Sequence, residues 1–312
     1  MGAHRNITYR LVPGTAVRAR RLASTAGACR YVWNTMLADQ QDLYLAARAA
    51  GAKPPSVSFF TLGKAYTQLR KATPWLQELP FAPIRYTLKY QADAWQRYFR
   101  GQGGRPRFKA RRGDDRVTFP RDSFRIEGDT VRLARIGPMR LRRRGGNPYP
   151  DGVAKQVAVK RVGKRWHAVV CYEVDIGERT DDGRALGVDM NVGQVATSDG
   201  AILRMPVASR LVARHQRQQR VAARRRKGSR RRLRMIRRAA RTARKLAMRR
   251  RNWQHQVSRR LADRAATLVV EDLRVRGMTA SAQGTAEQPG MNVRQKAGLN
   301  RSILQTGWGD LR

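Results

Sequence analysis

The sequence predicts a multidomain α/β fold, and three observations carry that prediction. At 312 residues the chain exceeds the roughly 100–150 residues of a common single domain. A helical hydrophobic period runs from Leu22 to Arg100, whereas short alternating runs between turn residues fill the stretch to about Gly177. Beyond that, strand-like apolar runs flank a long and strongly basic helical stretch.

The elements follow in order. Ile7 to Arg20 alternates apolar and polar residues around Pro13-Gly14, which predicts a short hairpin. Cys29, Val32, Trp33, Met36 and Leu37 then fall on one helical face, and Ala92, Trp95 and Phe99 on another. Pro54-Pro55, Pro74, Pro80 and Pro83 separate the helices. After Gly101-Gln-Gly-Gly104, the runs 117–119, 124–126, 131–133, 139–141, 156–162 and 166–174 read as strands, with turns at Gly128-Asp129 and Gly163-Lys164. That rhythm predicts a small β-barrel or sandwich.

A new domain is expected after the polar stretch 177–183. Ala185 to Asp189 reads as a strand, and Gln194 to Met205 as a hairpin around Asp199-Gly200. Between Ala201 and Ala262 there is no acidic residue, and Leu233, Ile236, Ala240, Ala243 and Ala247 keep steps of three and four that suit one packed helical face. Gly228-Ser229 is the expected break between two helices. Ala265 to Glu271 reads as a buried strand ending in a carboxylate, and Gly284 to Asn292 as loop.

Lysine and arginine number 66 against 22 acidic residues, a formal net charge of +44. Phosphate backbones are the expected partner, because each cation placed on a phosphate releases condensed counterions. A merely soluble basic surface and an anionic membrane are the alternatives that charge alone leaves open. No run approaches the roughly 18 apolar residues of a spanning helix, and the first residues lack a signal-like apolar run. Cys29 and Cys171 are far apart and unpaired in spacing, so zinc is not supported within residues 1–312, and a cytoplasmic, nucleoid-associated location is expected.

Asp189 and Glu271 each end an apolar strand, where side chains emerge at a sheet rim. Two such acids can share divalent metal: ions roughly 4 Å apart activate the attacking water and stabilise the leaving oxygen of a phosphodiester. Taken singly each has a structural alternative, Asp189 capping the turn through Asn191 and Glu271 pairing with an arginine.

The motifs together are more specific. Leu186-Gly-Val-Asp-Met-Asn-Val-Gly193 with Thr197-Ser-Asp-Gly200 resembles the first RuvC motif of the TnpB family, and Val269-Val-Glu-Asp-Leu-Arg-Val-Arg-Gly-Met278 resembles its second. Ala28-Cys-Arg-Tyr-Val-Trp-Asn34, Arg105-Pro-Arg-Phe-Lys109, Arg251-Asn-Trp-Gln-His-Gln256 and Asn300-Arg-Ser-Ile-Leu304 to Trp308 are also similar to family segments, so the resemblance spans nearly the whole chain.

The resemblance implies a helical recognition lobe (residues 21–103), a β-barrel wedge domain (1–20 and 104–180) and an RNase H-like RuvC domain (181–312) with a basic helical hairpin insertion. It implies a transposon-encoded RNA-guided DNA endonuclease that takes a noncoding guide RNA and cuts double-stranded DNA beside a short motif. Asp189 and Glu271 would be its catalytic, Mg2+- or Mn2+-binding acids. Arg105, Arg107, Lys109, Arg225, Arg226, Lys227, Arg231 and Arg238 are the expected contacts to guide RNA or target DNA.

Phe108 is expected to pack in a core. Tyr31, Trp33, Trp75, Tyr86, Trp95 and Tyr98 are expected mostly to do the same, with the adjacent-motif site as the alternative. The family pattern continues into a zinc ribbon and a third acidic motif that do not appear before Arg312, and Asp310 reads as structural. A nuclease-inactive RNA-guided DNA-binding protein is therefore the alternative function, and a general RNA-binding protein a third.

Overall fold

A computed structural model of the protein describes residues 2–110, 115–142, 151–163, 165–175, 183–285 and 287–307. The Lys164 position of one expected turn, most of the polar stretch 177–183, Trp308 and Asp310 lie outside the described residues. The architecture is mixed α/β, in two compact units, Met1–Glu178 and Arg179–Arg312.

The first unit opens with strand β1 (Gly2–Val12) and helix α1 (Ala16–Ala49). The expected hairpin at Pro13-Gly14 is corrected here: the chain turns at Gly14 (φ 78°) straight into α1. Thr15 caps the helix by accepting from the Arg18 N–H, and the Ala-, Arg- and Leu-rich run behind it has the propensity to continue as helix. Three more helices follow, α2 (Phe59–Ala72), α3 (Pro74–Gln77) and α4 (Phe81–Phe99), with Ser58 and Thr61 forming a capping box at the start of α2.

Six further strands are β2 (Arg116–Pro120), β3 (Phe124–Glu127), β4 (Thr130–Leu133), β5 (Gly137–Arg142), β6 (Gly152–Val162) and β7 (Arg165–Asp175). They cover the strand runs read from the sequence. The sheet order is β2-β6-β7-β1-β5-β4-β3, with β1 paired along β7 and, at its end, with β5. The two edge strands β2 and β3 are joined by only the 3-10 turn Arg121–Ser123. Three residues span at most about 10 Å, so the sheet must curl until its edges approach. Its inward side chains, among them Ile7, Tyr9, Leu11, Phe119, Leu133, Val159 and Val170, share one core with Leu22, Leu62, Ile84 and Leu88 of the helices.

The second unit is a four-stranded sheet of order β10-β9-β8-β11. Strands β8 (Ala185–Asn191), β9 (Gln194–Thr197) and β10 (Ile202–Arg204) form an antiparallel meander. Helices α5 (Ser209–Ala223) and α6 (Arg230–Arg264), broken at Gly228 (φ 81°), lead to β11 (Thr267–Val270), which pairs parallel to β8.

Trp253, Val257 and Leu261 of α6 pack on Leu186, Val188 and Val195. That cover reaches β8 and β9, so β11 is exposed, with Val269 59% accessible, where the sequence pattern predicts a buried strand.

The stripe read on α6 is also corrected. Ala239 and Thr242 are buried, whereas Leu233, Ile236 and Ala240 are exposed, a rotation of one residue. Thr242 donates to Gln218 Oε1 of α5 at 2.8 Å inside this contact. A polar pair thus holds a place that hydrophobic periodicity skips.

After helix α7 (Val275–Met278), helix α8 (Val293–Thr306) is fastened by side chains rather than by a large core. Asn300 Nδ2 donates to the Thr279 and Ala280 carbonyls, and Lys296 Nζ to that of Met278. Buried Gln254 of α6 donates to the Thr306 and Gly307 carbonyls at 3.1 and 2.7 Å. Gln254→Leu should cost about 1–3 kcal/mol by leaving both carbonyls unpaired. Hydrogen exchange should then show α8 losing protection while the Trp253–Leu261 turn of α6 keeps it; unchanged protection of α8 would refute this anchoring.

Candidate functional site

Sheet register brings the two strand-end carboxylates to the same end of one sheet. Val270, the last residue of β11, pairs with Val188; Asp189 is the next residue of β8 and Glu271 follows β11 directly, at the same end of two adjacent parallel strands. On β8, Leu186, Val188 and Met190 are buried, which sends Asp189 to the opposite, exposed face. Asn191, two residues on and therefore on that same face, donates to Asp189 Oδ2. The turn-capping alternative and the metal alternative are thus compatible, since one Asp189 oxygen is oriented by Asn191. Glu271 is exposed, as is Asp189. Among the described residues no third His, Cys, Asp or Glu joins a metal-sized cluster.

Asp199, in the first RuvC-like motif, has a structural role. It accepts from the Thr197 hydroxyl and from the Ala201 N–H, and it pairs with Arg264 at the end of α6. The Thr197 hydrogen bond is the main cause that holds its carboxyl below the ordinary value. Gly187 sits beneath Ser198, whose hydroxyl accepts from the Gly187 N–H; a Cβ there would meet Ser198 Cβ at 3.3 Å.

The basic residues divide by what they touch. Arg225 donates to the Arg231 carbonyl, and Arg232 to that of Arg225, so both close the α5–α6 turn. Arg226, Lys227, Arg231 and Arg238 present exposed side chains.

In the first unit, Arg105 to Lys109 forms an extended strap along α1. Trp33 Nε1 donates to the Arg107 carbonyl at 3.0 Å, and Asn34 exchanges two hydrogen bonds with the Lys109 backbone. Two sequence motifs far apart in the chain are therefore one structural unit. Phe108 does not pack as expected: it is 55% exposed, because the backbone, not its ring, is what α1 holds. Of the other aromatic residues, Trp33 and Trp95 are buried, whereas Tyr31 and Trp75 are exposed and meet edge to face at 5.2 Å. Arg105 lies over the rings of Tyr44 and Tyr98.

Lys109 Nζ lies 3.6 Å from the Trp33 ring centroid. The residue retains solvent contact, but desolvation of its ammonium against these groups, reinforced by Arg116, lowers its pKa to about 8. Burial pushes the neighbouring Cys29 thiol up to about 11. Helix anchors such as Trp33 and Asn34 carry no charge signal, so the sequence reading missed their role.

The sequence comparisons agree with this geometry. A family model described as "Probable transposase" (OrfB of IS605) matches residues 169–282, across the carboxylate strands and the basic helices. A companion model described as a helix-turn-helix domain matches residues 1–48, which here form one strand and one uninterrupted helix. Curated relatives include "Putative RNA-guided DNA endonuclease InsQ" of Escherichia coli K12, 33% identical over 92% of this chain and 71% of the relative. A "Putative RNA-guided DNA endonuclease" of Streptomyces pristinaespiralis is 27% identical over 99% of this chain and 73% of its own length. The fold and these matches define the class as a transposase-related protein whose relatives are named as nucleases. More particularly, the chain belongs to the TnpB family.

The lowered Lys109 pKa sets a pH dependence. Between about pH 8 and the ordinary lysine value of 10.5 the unfolded chain holds more protons than the folded one, so stability rises as pH rises through that window. The melting temperature of the native protein relative to Lys109→Met should increase across it, as differential scanning fluorimetry would show. A flat difference would mean that Lys109 titrates normally.

Proposed function

We propose that this protein is an RNA-guided, divalent-metal-dependent DNA endonuclease of the RuvC type, which cuts DNA matched to a noncoding guide RNA beside a short motif. The observation that carries this reading is the parallel β8–β11 register, which supports Asp189 and Glu271 as partners at one sheet end. The names of the relatives support the guide RNA and the DNA target as partners.

The donor set fits magnesium or manganese. Carboxylates suit hard cations, and magnesium keeps several waters while binding through one or two protein carboxylates, so a two-acid rim is a reasonable holder. Bound metal would supply a water of lowered pKa and charge stabilisation at the scissile phosphate. The protein's own residues do the rest: Asn191 orients Asp189, and Asp199 with Arg264 fixes the neighbouring hairpin. Arg226, Lys227, Arg231 and Arg238 track backbone phosphates without reading bases, and base pairing with the guide selects the sequence.

The test is cleavage by the full-length protein purified with its RNA. Asp189→Ala and Glu271→Ala should each abolish magnesium-dependent cutting of matched DNA while leaving guided binding intact. Guided binding without cutting by the native protein would favour the nuclease-inactive reading, and binding indifferent to guide sequence would favour a general RNA-binding protein. Replacing Arg226, Lys227, Arg231 and Arg238 by Ala together should flatten the log–log salt dependence of binding, by roughly 0.9 per lost duplex-phosphate contact. An unchanged slope would remove these four from the interface.

A further inference from the structure

The first unit carries a shallow, solvent-open groove that neither the carboxylates nor the basic hairpin uses. Tyr44 of α1, the Pro54-Pro55 segment, and Trp95 and Phe99 of α4 wall it. The groove encloses no ring-sized cavity, so a ligand here would rest on the exposed rim rather than inside.

Phe99 is 56% exposed, and yet its position is set. Its ring stacks on that of Trp95, with centroids 5.6 Å apart and planes 19° from parallel, and Trp95 is itself buried. An exposed aromatic backed by a buried one is a preset platform, with little rotamer freedom left to lose on binding. The Trp95 Nε1–H is buried and finds no acceptor among the described residues, although a buried indole N–H usually has one.

Positive charge stands at the same place. Arg105 lies 5.3 Å from the ring centroid of Tyr44, a wall residue, and 5.8 Å from that of Tyr98. Arg100 follows Phe99 directly and is exposed. An exposed aromatic face and adjoining guanidinium groups are complementary to an unpaired nucleobase and its phosphate. A base-paired duplex offers no free base face to such a surface.

We propose that the rim of this groove is a clamp for one unpaired nucleobase, stacked on the exposed ring of Phe99, with its phosphate held by Arg105. The proposal rests on the nucleic-acid part of the reading above and is independent of the carboxylate chemistry. The base comes from the guide RNA or from an unwound DNA strand, which share this chemistry.

Phe99→Leu keeps apolar bulk on Trp95 and removes the stacking face. Fluorescence anisotropy on the full chain would compare single-stranded RNA, single-stranded DNA, the matching duplexes and an abasic deoxyribose-phosphate strand. The variant should bind base-bearing single strands about tenfold or more weakly, with duplex and abasic binding and the salt slope unchanged. Loss confined to the RNA arm identifies the guide as the source, and loss confined to the DNA arm an unwound strand. Native-like binding by the variant, or an equal loss on duplex and abasic strands, would overturn the clamp. Native protein that binds no base-bearing strand would overturn the nucleic-acid reading itself. Tyr44→Leu, on the other wall, provides the same test if Phe99→Leu melts below the native protein.

Discussion

The parallel pairing of β8 with β11 is the constraint on which the second unit depends. A parallel partner cannot be reached by a tight turn, so the chain must cross over and re-enter the sheet from the starting end. The α5–α6 hairpin is part of that crossover, and α6 alone, at 35 residues, is about 50 Å long. Its last turns carry Trp253, Val257 and Leu261 onto the sheet, while its first turns contact α5 through Thr242 and Gln218. The helix that leads into the β8–β11 pairing is therefore also a helix that carries the cations. Damage to its buried end would disturb both.

In the first unit the corresponding device is the strap on α1. An extended segment has unpaired backbone groups, and Trp33 and Asn34 supply partners for those of Arg107 and Lys109. The exposed side chains of Arg107 and Phe108 follow from a backbone held in this way. The electrostatic setting makes such fixed cations consequential. With 66 basic against 22 acidic residues, most positive groups have no carboxylate to meet, and the free protein repels itself. The depressed pKa of Lys109 comes mainly from desolvation, with a smaller contribution from the charge of Arg116.

Much of this was legible because turn chemistry and strand alternation are local signals. The strands of the curled sheet fall where Gly128-Asp129 and the Val- and Leu-rich runs put them, and Asp189 lies beyond a three-residue apolar alternation that marks its face. What failed was decided by neighbours. Periodicity chose Leu233 and Ile236 for the packed face of α6, whereas the Thr242–Gln218 pair turns Ala239 inward instead. The β11 residues are apolar enough for a core, but Trp253 and Leu261 cover β8 and β9. Phe108 is aromatic, yet the contact that locates it is made by its neighbours' backbone. At Pro13-Gly14, the helix propensity beyond Thr15 outweighs the hairpin signal.

Residues 1–48 bear on how sequence is recognised. A helix-turn-helix reader needs two helices at a sharp angle, the second free to enter the major groove. Here the matched segment is a strand built into the curled sheet followed by one helix, and Leu22, Ala26, Cys29, Val32, Met36 and Leu37 commit a full side of that helix to the core. Its Trp33 and Asn34 are occupied by the strap. No second helix within the segment is available to read base edges. The geometry of this segment therefore argues against recognition by a helix of this segment inserted in the major groove, which is consistent with the proposed selection of sequence by base pairing with a guide.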